Sequence, residues 1–143
     1  MARTPAITLD SPFHGSYFAE DRVYQYHAVK PGTDDWQVKA MEVGDDANDG
    51  TVIEGVAQED ALEGESVKVV FFGPTWAYNT GGVARNQRVE AIYNATVTDN
   101  GWFAIANPAT NWVNKMIAGY ALEAAVTLAK FKLFLTCETV TLN

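Results

Sequence analysis

Apolar and polar residues alternate with period two along much of this chain. Val67-Lys68-Val69-Val70-Phe71 and Phe131-Lys132-Leu133-Phe134-Leu135 each set a Lys between apolar neighbours, and Trp36-Gln37-Val38-Lys39-Ala40-Met41-Glu42-Val43 alternates but for the adjacent Ala40 and Met41. Period two belongs to strands, whose successive side chains face opposite sides of a sheet. The pattern predicts strands over residues 22–29, 36–43, 51–57, 66–72, 88–97, 102–105 and 131–139. Turn signals separate nearly all of them: Pro31-Gly32, the Gly44-to-Gly50 loop, Gly73-Pro74, Asn79-Thr80-Gly81-Gly82 and Asp99-Asn100-Gly101. On this register Val67, Val69, Phe71, Phe131, Leu133 and Leu135 share an inward face, with Lys68 and Lys132 pointing outward. Strands at this spacing specify an all-β domain.

A near-repeat sharpens the expectation. Ile53-Glu54-Gly55-Val56-Ala57-Gln58-Glu59-Asp60-Ala61 returns 64 positions later (53 to 117) as Ile117-Ala118-Gly119-Tyr120-Ala121-Leu122-Glu123-Ala124-Ala125. At the same offset, without a gap, Val67 to Phe71 is answered by Phe131 to Leu135, and six of the nineteen aligned positions are identical. In each copy an apolar segment ends in a Gly-x-Ala turn, crosses a connector and enters a strand. A unit this short cannot bury its apolar face alone, so two copies are expected to close around one core. The sequence therefore predicts a small β-barrel or sandwich built from two related β units, with the copies following one backbone path.

Three stretches depart from this pattern. Residues 1–20, with Pro5, Pro12, Gly15 and scattered aromatics, have no helical period and read as an extended N-terminal arm preceding a single domain over residues 21–143. Asn107-Pro108 places an N-cap residue before Pro at a first helical position, so one short helix is expected there. Residues 120–130 have strong helix propensity, yet the repeat aligns them with a Gly-containing, charged connector, and extended structure and loop are expected.

Charge and composition narrow the function. The net charge is −8, and residues 42–65 hold nine of the eighteen acids with no Lys or Arg. Such a segment repels a phosphate backbone, so nucleic acid is not an expected partner. The first thirty residues lack the order of a signal peptide and no apolar run approaches a bilayer span, so a soluble protein without membrane association is expected. At 143 residues the chain suits one domain that folds without disulfides, and Cys137 is alone.

Catalytic chemistry is not signalled. His14 and His27 lack a Cys or paired carboxylate at ligand spacing, and the Asp45-to-Gly50 loop fails the calcium-loop pattern because Val56 or Ala57 stands where a bidentate Glu is needed. Cys137 reads as a small core residue. No nucleophile elbow, Walker-type loop or dinucleotide fingerprint occurs. No enzyme, cofactor or metal is expected. Trp76 and Tyr78, in a turn-rich and therefore exposed stretch, could stack on a sugar ring together with Trp102, which would suit a carbohydrate-binding module. Interface anchoring is the favoured reading, because Trp and Tyr are enriched at protein contacts. Phe13, Tyr17 and Phe18 in the arm join Trp76 and Tyr78 as candidate interface residues.

The run Gly55 to Val69, the aromatic-rich turn before Gly81-Gly82-Val83, and Ile117 to Ala125 followed by a final apolar strand resemble the capsid cement or decoration proteins of tailed bacteriophages. The stretch from Ser16-Tyr17-Phe18-Ala19-Glu20 to Val29 resembles that family's entry into its first strand, and the resemblance covers about residues 16–136. The chain departs from the family at Thr127-Leu128-Ala129-Lys130, where a Gly usually precedes the last strand. The resemblance implies a β-rich virion protein on the outer surface of a capsid assembled in the host cytoplasm. It also implies the major capsid protein as partner, a homotrimer at local three-fold positions, and reinforcement of the shell.

Overall fold

The computed structural model describes residues 13–43, 45, 52–93, 101–106 and 115–140. Its elements are all strands: β1 (Phe13–Ala19), β2 (Ala28–Pro31), β3 (Gln37–Ala40), β4 (Gly55–Ala57), β5 (Ser66–Tyr78), β6 (Arg88–Ile92), β7 (Trp102–Ile105), β8 (Lys115–Ala121) and β9 (Lys130–Val140). β1 pairs with both β3 and β5, which closes the order β1-β3-β2-β4-β5 into a five-stranded barrel. The order then runs on through β9, β8, β6 and β7, and a parallel bridge between Asn79 and Phe103 brings this second set back to the end of β5.

The second set repeats the first. Val56 and Ala57 face Val70 and Val69, and 64 residues on Tyr120 and Ala121 face Phe134 and Leu133. Ala28 and Val29 pair with Val56 and Gly55 as Arg88 and Val89 pair with Tyr120 and Gly119. The parallel contact of Ala19 with Val38 recurs as that of Asn79 with Phe103. Even the connectors match, with the Val23–Ala61 bridge reappearing as Val83–Ala125. Residues 122–129 are bends and turns rather than helix, as the repeat requires, so context overrides propensity there.

Glycine explains the Gly-x-Ala signature. It was expected to be a turn, but Gly55 lies in β4 and Gly119 in β8. A Cβ on Gly55 would come within 2.1 Å of the Val70 carbonyl oxygen, and one on Gly119 within 2.0 Å of the Phe134 carbonyl oxygen. Both positions are bare because the neighbouring strand passes against the backbone there.

Other expectations are corrected. Gly73-Pro74 does not end a strand; Gly73, at φ 103, bends β5 while pairing continues from Ser66 to Tyr78, so one strand serves both units. The equivalent position in β9 is Cys137, at φ 50. Phe13–Ala19, expected as the end of an arm, is an integral barrel strand hydrogen-bonded on both sides. Residues 1–12 and the short helix expected at 107–112 lie outside the described residues.

Two apolar clusters form the interior. Ala19, Val23, Val29, Val38, Ala57, Ala61, Val67 and Val69 fill the first barrel with small side chains. The second cluster combines Phe103, Phe131, Leu133 and Leu135 with Ala28, Val56 and Val70, which lie on the opposite face of the first unit's strands. β4 is consequently buried at every residue, and Val69 and Val70 are both buried although they point to opposite faces. This breaks the simple alternation beyond Val69: Val67 and Val69 face the first cluster and Phe131, Leu133 and Leu135 the second rather than sharing one inward face, and Phe71 is exposed.

Phe131→Ala should therefore cost about 3–5 kcal/mol, while Phe71→Ala and Lys68→Ala should each stay within about 1 kcal/mol because both positions are exposed. Gly55→Ala and Gly119→Ala should each cost at least about 2 kcal/mol through backbone overlap. Denaturant melts of the five variants check this ordering; equal losses at Phe71 and Phe131 would contradict the register.

Candidate functional site: two aromatic surfaces

The exposed bend of β5 and its neighbours assemble a row of rings. Phe13 on β1 lies 6.3 Å from Phe71 and 5.8 Å from Phe72 between centroids. Phe72 meets Phe134 of β9 edge-on at 5.5 Å, and Phe134 stacks on Tyr120 of β8 at 5.4 Å and 17°. The row crosses from the first unit to the second, and all but Phe134 are exposed. Contiguous exposed apolar surface of this kind is a candidate contact site. The edge-to-face and stacked arrangements hold the rings in place without burying them.

A second cluster gathers around the turn that follows Val23. Tyr78 and Trp102 lie 5.2 Å apart at an interplanar angle of 32°. Buried His27 supports them from 5.3 Å and 5.9 Å, and reaches Tyr24 at 5.7 Å. His27 Nδ1 donates to the Gln25 carbonyl oxygen at 2.7 Å, which fixes the ring's orientation. Together with Gln25 and Asp60 these rings line a cleft of about 390 Å³. Asp60 Oδ1 accepts from Gln25 N at 2.8 Å and so anchors the turn across the cleft.

The five interface candidates are thus distributed over several places. Phe13 belongs to the aromatic row and Tyr78 to the cleft. Phe18 is exposed, and Tyr17 is half-buried with its ring 6.1 Å from exposed Trp36. Trp76 and Tyr78 are not in a turn but alternate along β5. Trp76 carries two ammonium groups over its ring, Lys130 and Lys132 each at 4.6 Å, while Lys130 also lies 5.5 Å from Tyr26. Of the three residues considered for sugar stacking, Tyr78 and Trp102 come together. Trp76 stands apart beside its lysines.

Sequence reading missed Phe72, Phe134 and Tyr120 of the row, and Tyr24, Gln25, His27 and Asp60 of the cleft. Extending the repeat upstream would have flagged the cleft, because Val23 aligns with Val83 and Tyr24 then faces Ala84.

Acids within residues 42–65 act locally. Glu65 accepts from Leu62 N at 2.7 Å and Glu59 from Lys68 N at 3.0 Å, while Asp45 pairs with Lys30 at 2.6 Å. The Glu59 contact is repeated by Glu123 and Lys132 N at 3.1 Å, which accounts for the retained Glu in both copies. Among the described residues no group of three or more His, Cys, Asp or Glu is placed to hold a metal ion. Burial pushes the Cys137 thiol up to about 12, so it is not a thiolate at neutral pH.

No family model matches this chain, and no curated protein matches it. Among solved structures, the N base of the head fibre protein gp8.5 of bacteriophage phi29 is similar in fold, with a TM-score of 0.59 and 13% identity, over 90% of this chain and 97% of that one.

One titration follows from β1. Tyr17 OH donates to Glu54 Oε1 at 2.8 Å, and burial together with that bond and the Glu54 charge pushes the phenol up to about 12. The folded chain keeps a proton that the unfolded chain releases near 10, so this stabilisation is complete below pH 10 and is lost as pH rises through 12. Cys137 acts in the same direction from a lower starting value. Tyr17→Phe should cost about 1 kcal/mol at neutral pH and make the alkaline decline shallower, more so combined with Cys137→Ala. Denaturant unfolding at pH 7 and across the alkaline range measures both; an unchanged slope would contradict the assignment.

Proposed function

We propose that this chain is a structural protein of a phage head that attaches to the outer surface of the capsid and reinforces the shell. The observation that carries the reading is the likeness to the phi29 head fibre base, which extends over nearly the whole of both chains and so involves both units rather than one common barrel. The resemblance of the Gly55–Val69 and Ile117–Ala125 runs to capsid cement proteins points the same way. The partner in this reading is the major capsid protein, met by the aromatic row of Phe13, Phe71, Phe72, Phe134 and Tyr120. Residues 1–12 add a docking arm. Attachment as a homotrimer at local three-fold positions would let modest contacts act together, because each subunit tethers the others close to their sites. The role requires no active site, and the net charge of −8 suits it to protein rather than nucleic-acid contact.

Purified protein mixed with undecorated heads should co-sediment with them and raise the temperature at which they rupture. Phe72→Ser combined with Phe134→Ser should weaken attachment by at least about tenfold, a loss of about 1.4 kcal/mol, with little change in the melting of the free protein. Failure to co-sediment, or equal attachment by the double variant, would overturn the proposal or its contact surface respectively.

A further inference from the structure

Two copies of one backbone make an internal control, since positions where they differ mark what the fold does not need. In the first copy Tyr26 N donates to the Ala57 carbonyl at 2.7 Å and His27 N to the Tyr24 carbonyl at 3.2 Å; in the second, Asn86 N donates to Ala121 at 2.7 Å and Gln87 N to Ala84 at 3.2 Å. The central residue is left-handed in both, φ 63 at Tyr26 and φ 71 at Asn86. Asn adopts this conformation readily, whereas Tyr does so at a cost. Ala84, Asn86 and Gln87 thus make the same turn that Tyr24, Tyr26 and His27 make, without any aromatic ring. Asp60 likewise has Ala124 as its counterpart. The turn therefore forms without the rings gathered on this one side, and Asp60, whose Oδ1 holds Gln25 N, keeps its second carboxylate oxygen for other partners.

We propose that the cleft lined by Tyr24, Gln25, His27, Asp60, Tyr78 and Trp102 is a saccharide-binding site, separate from the surface that holds the head. Its volume, about 390 Å³, suits one or two sugar rings. The half-exposed rings of Tyr24, Tyr78 and Trp102 offer flat apolar faces to the C–H side of a pyranose. Exposed Asp60 and Gln25 stand at the rim, where a carboxylate accepts from neighbouring hydroxyls; Gln25 Nε2 donates to the Gln58 carbonyl at 3.1 Å, which orients the amide and leaves its oxygen to accept. His27, fixed by its bond to the Gln25 carbonyl, packs against Tyr24, Tyr78 and Trp102 and so holds their orientation. A proline-rich peptide also docks on aromatic grooves, but its carbonyls need donors such as an indole N–H, and Trp102 Nε1 is buried.

The test titrates the full chain with tetrasaccharides of glucose, galactose and N-acetylglucosamine and with a ten-residue polyproline peptide, followed by tryptophan fluorescence and calorimetry. At least one sugar should bind saturably with a dissociation constant in the millimolar range or tighter. Tyr24→Ala, which installs the residue the second copy already uses in the same turn, and Asp60→Asn, which keeps an acceptor for Gln25 N, should weaken that binding by about tenfold or more while melting and head attachment stay unchanged. Trp36→Ala, away from the cleft, should bind as the parent does. Absence of binding to all three sugars, preference for the peptide, or undiminished binding by both cleft variants would overturn the site.

Discussion

The structure depends on burying both faces of the strands where the two units meet. Val69 points into the first barrel and its neighbour Val70 into the second cluster, and β4 alongside them has no exposed residue. Each such Val removes apolar surface worth about 1.5–3 kcal/mol from water, and the contributions on the two faces come from one backbone that is ordered once. A lone unit would expose Ala28, Val56 and Val70 to solvent, so neither copy is a complete domain. The shared strand β5, bent at Gly73, is what allows the pairing to pass from β1 and β4 to β9 without a break.

This arrangement leaves the remaining surfaces free to diverge. The hydrogen bonds that build the connectors recur pair by pair between the copies, down to the carboxylates of Glu59 and Glu123 on Lys68 N and Lys132 N. What differs is side chains. Aromatic rings collect along β1, β5, β9 and β8 in one row and around residues 24–27 in another place, whereas the corresponding turn of the second unit carries none. A rigid duplicated scaffold with unequal surfaces suits a protein whose work is contact.

Much of this fold was legible in the sequence because its two causes are local or repeated. Period two located β3, β4, β5, β6, β7 and β9, with 102–105 matched to the residue, but it left out β1 and β8 and put a strand over 22–29 where residues 24–27 turn; the 64-residue offset overruled helix propensity at 120–130. The failures share a physical reason: they sit where a strand faces protein on both sides or where the chain bends without turning back. Alternation cannot place Phe71 outside once Val69 and Val70 are both inside. Gly73-Pro74 reads as a turn in isolation, and only the pairing of β5 with β9 shows it as a bend. Gly-x-Ala reads as a turn until the carbonyls of Val70 and Phe134 are seen to occupy the space of a Cβ. The rings of the cleft come from β5, β7 and a turn, so their meeting is a property of topology rather than of spacing.

The phage-head proposal draws together a fold similar to that of a head fibre base over 90% of this chain, a sequence resemblance to capsid cement proteins and an exposed aromatic row that bridges both units. Its most direct test is a cryo-electron reconstruction of undecorated heads incubated with the purified chain. The account predicts added density on the outer surface of the shell, in three-fold clusters, with Phe13, Phe72 and Phe134 facing the capsid. Heads whose outer surface is unchanged, or density that meets the shell only through the opposite face, would contradict it.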